Sequence, residues 1–149
     1  VSSLYFAYGS NLDADQMRER CPSSACLGGA RLAHHRLDFT HFSRRWRGGA
    51  ADVVRDHAAH VWGALYRLDL DDLRRLDQFE VGYDRIDIRV VDVAELEHLA
   101  ISYTVRAKQD THAPHPHYLQ KMIHWGRHWD FPTAYLEQLG EITVGPLDR

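Results

Sequence analysis

The chain has 149 residues, with 18 Lys and Arg against 21 Asp and Glu and a formal net charge of -3. That length gives one domain (residues 1–149) around one hydrophobic core, and the charge balance removes the simplest argument for nucleic-acid binding while leaving a local basic patch possible. With 44% hydrophobic residues, 10 Gly and 5 Pro it is neither low-complexity nor collagen-like.

Residues 4–8 form a short aromatic and aliphatic run that Gly9-Ser10-Asn11 stops, which predicts a strand ending in a turn. Asp13, followed three residues later by Gln16, has the form of a capping box, so a short helix carrying Met17 is expected next. Cys21 and Cys26 have a CxxxxC spacing that matches neither a CxxC redox pair nor half of a zinc site, and they read as reduced and structural. Between residues 30 and 42, Leu32, Leu37 and Phe39 are the inward positions of one or two strands. Ser43-Arg44-Arg45-Trp46-Arg47-Gly48-Gly49 is the most basic and least regular segment.

Residues 50–54 and 60–68 read as two separate strands. Asp69 is a helix cap, after which Leu73, Leu76 and Phe79 recur at helical spacing until Gly82 ends the element. Ile86, Ile88 and Val90 alternate with polar neighbours as a half-buried strand does, and residues 99–105 are the last clear strand. The proline- and histidine-rich residues 111–117 read as a loop. Tyr118, Leu119, Met122, Ile123, Gly126 and Trp129 then share one helical face, and a second short helix starts at Pro132 and stops at Gly140. Strands first and helices last describe an α+β domain on a curved mixed sheet or small β-barrel with flanking short helices, not alternating βαβ units.

Two places stand out chemically. A strand ending in Tyr8-Gly9-Ser10-Asn11 before a helix exposes several backbone N–H groups at one point, which suits a carboxylate or a developing oxyanion; a tight turn with no ligand is the other reading. Glu80 follows Phe79 and precedes Val81-Gly82-Tyr83, at the end of the predicted helix. Partial burial there, with the helix dipole, raises a carboxylate pKa and makes it a better base near neutrality; an ordinary exposed glutamate is the alternative. His124 and His128 lie four apart on a helix, but Trp125-Gly126-Arg127 between them is not HExxH, so no metal is expected. Arg44 to Arg47 reads first as a solvated loop anchored by its tryptophan, and second as a grip on a small carboxylate. No apolar run approaches the roughly 20 residues that span a bilayer, and the first residues lack the form of a signal peptide. The expected location is cytoplasmic, with no membrane and no nucleic-acid partner.

Tyr5-Phe6-Ala7-Tyr8-Gly9-Ser10-Asn11-Leu12 resembles the opening signature of the gamma-glutamylcyclotransferase family, within the superfamily that includes gamma-glutamylamine cyclotransferases and AIG2-like proteins. Four further segments resemble it in family order: Trp46-Arg47-Gly48-Gly49-Ala50, Val61-Trp62-Gly63-Ala64-Leu65-Tyr66, Leu76-Asp77-Gln78-Phe79-Glu80 and Ile101-Ser102-Tyr103. Residues 113–118 and Ile123-His124-Trp125-Gly126 resemble its closing loop and helix. The resemblance implies the family fold, no cofactor, and cyclisation of L-gamma-glutamyl compounds to 5-oxoproline with release of an amine or amino acid. It implies Glu80 as general acid/base, with Tyr8, Gly9, Ser10, Asn11, Tyr83 and Tyr103 around the substrate. Where the family has Gly directly after the acidic residue, Val81 stands here before Gly82. Alternatives are a gamma-glutamylamine or a biosynthetic gamma-glutamyl intermediate as substrate, a non-catalytic binding module of the same fold, or an RNA- or phosphate-binding protein acting through Arg44 to Arg47. Arg47 or residues 112–117 would shape the leaving-group side, and the chain would be a monomer or homodimer.

Overall fold

The computed structural model describes residues 2–148. Among them run β1 (Ser2–Ala7), a 3-10 turn (Ser10–Leu12), α1 (Ala14–Arg20), β2 (Ala25–Ser43), β3 (Gly48–Asp69), α2 (Leu70–Phe79), β4 (Tyr83–Asp92), β5 (Glu97–Val105), α3 (Pro116–His128) and α4 (Thr133–Gly140). The strands close into a barrel in the order β1-β3-β2-β4-β5. Neighbours are antiparallel except β1 and β5, which lie parallel where Tyr5 faces Ile101. This is the α+β, barrel-based architecture expected from the order of the elements.

Closure follows from two unusually long strands. At 19 and 22 residues, β2 and β3 pair with each other and still reach β4 and β1. Register shifts between Cys26 and Gly28, Ala33 and His35, and Asp38 and His41 coil the pair, as bulges do by adding local twist. Residues 50–54 and 60–68 are therefore parts of one strand and not two. Their shared partner β2 joins them, with His60 opposite Ala33 and Arg55 opposite His35, so the residues between bulge out of the ladder. The bulged residues Asp56, His57, Ala58 and Ala59 are exposed or half-buried and include no large apolar side chain, which is why hydrophobic patterning breaks there although backbone pairing resumes.

Both faces of the C-terminal part of β3 are covered. Val61, Ala64, Leu65, Tyr66 and Leu68 are all buried, while Trp62 packs on Phe131 of the segment joining α3 to α4. On α3, Tyr118, Leu119, Met122 and Gly126 form the buried face. The predicted face of α2 holds for Leu73 and Leu76, but Phe79 is exposed, with the Arg20 guanidinium 4.6 Å from its ring centre. The helix ends at Phe79, before that residue can turn under the barrel, and Gly82 at φ 87° belongs to the following turn.

Gly63 of β3 lies close against the end of β1. A Cβ there would overlap the carbonyl oxygen of Ala7 and come within 2.6 Å of the Phe6 ring. Gly63→Ala is expected to lose about 1–3 kcal/mol of stability, as other overpacked interiors do, seen as a lower urea midpoint with an unchanged slope.

Candidate active site

The site begins where β1 runs out. Past Tyr8 the chain bends at Gly9 into the Ser10–Leu12 turn, and Asp13 caps α1 by accepting from the backbone N–H groups of Asp15 (2.9 Å) and Gln16 (3.1 Å). Only half of the predicted capping box forms. The Gln16 amide turns away from Asp13 and donates to Asn11 Oδ1 at 2.9 Å and Ser10 Oγ at 3.2 Å. Gly9 is needed for closeness, since a Cβ there would sit 3.0 Å from the Tyr118 hydroxyl and 3.1 Å from the Ala51 Cβ.

Glu80 arrives from the other side. Asp69 caps α2 by accepting from Asp72 N–H at 2.7 Å, and at the helix end the Glu80 N–H still donates to Leu76 and Asp77 carbonyls. The Glu80 carbonyl then accepts from Tyr83 N–H at 3.1 Å, and Gly82 completes the turn into β4. So the extra residue Val81 does not displace Tyr83, whose ring lines the same cavity as Glu80.

The half-buried Glu80 carboxylate meets the first turn through Asn11, whose Nδ2 donates to Glu80 Oε1 at 3.3 Å and to Tyr5 Oη at 3.1 Å. That orientation of the amide is dictated from behind. Asn11 Oδ1 accepts from both Gln16 Nε2 and Arg20 Nη1 (3.0 Å), leaving only the NH2 end to face Glu80. Burial pushes the Glu80 carboxyl up to about 7, with the nearby Arg20 charge pulling down and Asp77 adding to the rise. A carboxylate that titrates near neutrality can both take and return a proton.

Around this pair lies a cavity of about 520 Å³ whose wall includes Tyr8, Gly9, Ser10, Asn11, Tyr83 and Tyr103, together with Glu80. The candidate residues are thus gathered at one place, but their polar groups are used differently from what the sequence suggests. Tyr8 Oη donates to the Tyr103 carbonyl (2.6 Å), Tyr83 Oη to the Ala51 carbonyl (2.7 Å) and Tyr103 Oη to Asp77 Oδ1 (2.6 Å). Their hydroxyls lock the wall, and what they present to the cavity is aromatic surface.

The expected nest of backbone donors is also partly spent. The Tyr118 oxygen accepts from Ala51 N–H at 3.0 Å and from the backbone of Ser10, leaving its own O–H to face the cavity. Tyr118 read in the sequence as one more core residue on a helical face, because spacing cannot separate a phenol that packs from one whose hydroxyl reaches a pocket. Arg20 and Gln16, which orient Asn11, were missed for the same reason.

Arg44, Arg45 and Trp46 also line the cavity, at the hairpin tip between β2 and β3. Arg47 and residues His115 and His117 do not, and instead flank a separate depression on the far side of Trp46. The expectation that Arg47 or residues 112–117 shape this cavity is therefore replaced by Arg44 and Arg45. His124 and His128 pack on Trp125, and among the described residues no three His, Cys, Asp or Glu side chains converge as metal ligands. Cys21 and Cys26 are free, the first buried with its thiol pushed up to about 12 by burial and by Asp72. Among the described residues no helix is long and apolar enough to cross a membrane.

Comparison with known proteins points the same way. The model of the AIG2-like family matches residues 60–139. Gamma-glutamylcyclotransferase of Mus musculus is 32% identical over 147 residues, spanning 93% of this chain and 78% of the relative. The Homo sapiens gamma-glutamylcyclotransferase is 31% identical over 149 residues, spanning 95% of this chain and 79% of the relative. A solved gamma-glutamyl cyclotransferase superposes with a TM-score of 0.92 at 29% identity, covering 97% of this chain and 90% of that one. A yeast gamma-glutamyl cyclotransferase specific to glutathione superposes at a TM-score of 0.66 with 11% identity over 93% of each chain, a likeness of fold alone.

Proposed function

The chain belongs to the gamma-glutamylcyclotransferase family, and from that we propose that it cyclises L-gamma-glutamyl amino acids or peptides, releasing 5-oxoproline and the free amine. The nucleophile is the substrate's own alpha-amine, which attacks its gamma-carbonyl carbon to close a five-membered ring. Holding the glutamyl chain curled replaces several kcal/mol of ordering cost, so few protein groups are needed and no cofactor is called for. Glu80 takes a proton from the alpha-amine as the new C–N bond forms. The tetrahedral oxygen, carrying the negative charge, meets the Tyr118 O–H or a remaining N–H of the Gly9–Asn11 turn. When the old C–N bond breaks, Glu80 returns the proton to the departing nitrogen, so atoms and charge balance and the enzyme ends as it began.

The single observation that carries this reading is the Glu80 carboxylate, with its pKa near 7, held by Asn11 across a cavity of small-molecule size. The free thiols of Cys21 and Cys26 fit a reducing, cytoplasmic setting, which forms part of the proposal. Incubation with gamma-glutamyl-alanine, gamma-glutamyl-lysine and glutathione should yield 5-oxoproline from at least one of them. Binding without product from any would leave the non-catalytic binding module in its place.

A pH profile offers a separate check. The base form of Glu80 must be present in the free enzyme, so kcat/KM should fall by at least about tenfold per pH unit below about 7. A flat profile from pH 5 to 8 would exclude Glu80 as the base.

A further inference from the structure

The glutamyl group's place in the proposed reaction, between Glu80 and the β1–α1 turn, accounts for only part of the cavity. At about 520 Å³ it takes a whole small substrate, and the departing half must lie against the remaining wall. That wall is the tip of the β2–β3 hairpin, and it is made of cations.

Arg44 and Arg45 line the cavity together with Arg20, and Glu80 is the one acidic side chain among the described lining residues. Arg20 is already committed to Asn11 and to the face of Phe79. Arg44 and Arg45 are exposed and have no acidic partner among the described residues. Arg31, Arg85, Arg89 and Arg106 each meet a carboxylate, while Arg55, Arg67 and Arg127 also lack an acidic partner among the described residues but do not line this cavity. Two unpaired guanidinium groups at the mouth of a pocket, on a chain of net charge -3, are what an anionic ligand requires.

The tip is also held in place. Trp46 packs edge-on against Tyr118 with ring centres 5.2 Å apart, and its ring centre is 5.3 Å from Arg45 Cζ and 4.6 Å from Lys121 Nζ. The Trp46 backbone N–H donates to Ser43 Oγ at 3.2 Å, and the Gly49 backbone N–H donates to the Ala113 carbonyl at 3.1 Å. Stacking on Trp46 thus limits where the Arg45 guanidinium can go. Arg45 stands near enough to Arg20 to depress its guanidinium, second to burial. Two cations over one pocket do not make the extended stripe with aromatic platforms that single-stranded nucleic acid needs.

We propose that Arg44 and Arg45 form a carboxylate subsite for the departing half of the substrate, so that the enzyme selects gamma-glutamyl amino acids and peptides over gamma-glutamyl amines. This rests on the cyclotransferase reading above, and the experiment separates the two. The wild-type protein, Arg44→Ala/Arg45→Ala and Arg44→Lys/Arg45→Lys are assayed for 5-oxoproline from gamma-glutamyl-alanine and from gamma-glutamyl-ethylamide, which lacks the leaving group's carboxylate. The wild type should favour the alanine compound in kcat/KM by about tenfold or more. In the double alanine variant that ratio should collapse toward one, mainly through KM, and the double lysine variant should recover part of it. The wild-type preference should shrink as salt rises. Equal use of both compounds by the wild type, or a ratio unmoved by removing both arginines, overturns the subsite. In parallel, Glu80→Gln is titrated calorimetrically with both compounds, alone and combined with Arg44→Ala/Arg45→Ala. If the wild type makes no 5-oxoproline, the cyclotransferase reading falls while these titrations still judge the subsite. Tighter binding of the alanine compound that depends on the arginines supports it, and equal binding overturns it.

Discussion

Glu80→Gln is expected to lower kcat on a gamma-glutamyl amino acid by about 10²–10⁴-fold while leaving the folded chain at least as stable as the parent. The amide keeps the size of the side chain and can still accept from Asn11 Nδ2, so the cavity survives. What it cannot do is take a proton from the alpha-amine or deliver one to the leaving nitrogen. The stability half has a definite sign. Burial raises the Glu80 pKa in the folded state to about 7, above the roughly 4.3 of an unfolded glutamate. The contribution of this group to stability is therefore full below pH 4 and is lost as pH rises through 7. Gln carries no charge at any pH, so the variant should equal the parent near pH 4 and exceed it at pH 8 by about 1–3 kcal/mol. Melting temperatures at the two pH values, with turnover at pH 8, test both halves at once. Full turnover by the variant would remove Glu80 from the mechanism, and a variant less stable than the parent at pH 8 would deny its burial.

The largest expected loss of stability belongs to Asp52, a residue with no part in the reaction. Its side chain is fully buried and both oxygens are saturated. Oδ1 accepts from the N–H groups of Val53 (2.9 Å) and Val105 (3.0 Å) and from Thr104 Oγ1 (2.9 Å). Oδ2 accepts from Thr40 Oγ1 and Lys108 Nζ, each at 2.7 Å. One carboxylate thereby ties β3 to β2, to β5 and to the segment after it. Asp52→Ala leaves two hydroxyls, two N–H groups and an ammonium without their acceptor, and is expected to cost about 3–5 kcal/mol. Asp52→Asn, which keeps the shape but not the charge, should lose less. Chemical denaturation of the three proteins at pH 7 checks the ranking. The neighbouring Ala51 presents its carbonyl to Tyr83 and its N–H to Tyr118, so whatever activity survives in Asp52→Ala should show a raised KM. An alanine variant within 1 kcal/mol of the parent would mean that the network contributes little.

Several elements were legible residue by residue. Asp13 and Asp69 were readable as caps because a short carboxylate before an apolar-periodic segment has few better uses. The β4 alternation of Ile86, Ile88 and Val90 was readable because one face is wet. Glu80 was readable from chain order, and the Tyr8–Asn11 turn from its Gly-Ser-Asn composition. Other features left no local trace. The continuity of β3 across residues 55–59 depends on a partner strand. Asp52 looked like any polar residue in a strand, since its five donors come from positions 1 to 56 residues away in the chain.

What the amino-acid order determines unaided, then, is the kind of element at each stretch and the two segments that could carry chemistry, because caps, periodicity and turn residues act over a few neighbours. Only the closed barrel decides what those segments become. By bringing the end of α2 against the end of β1 it desolvates Glu80 and turns Asn11 toward it. By laying α3 and the β2–β3 tip beside them it frees the Tyr118 hydroxyl and leaves Arg44 and Arg45 at the cavity without an acid to meet. Burial and charge pairing depend on distance in space, and the chain sets that distance only by folding.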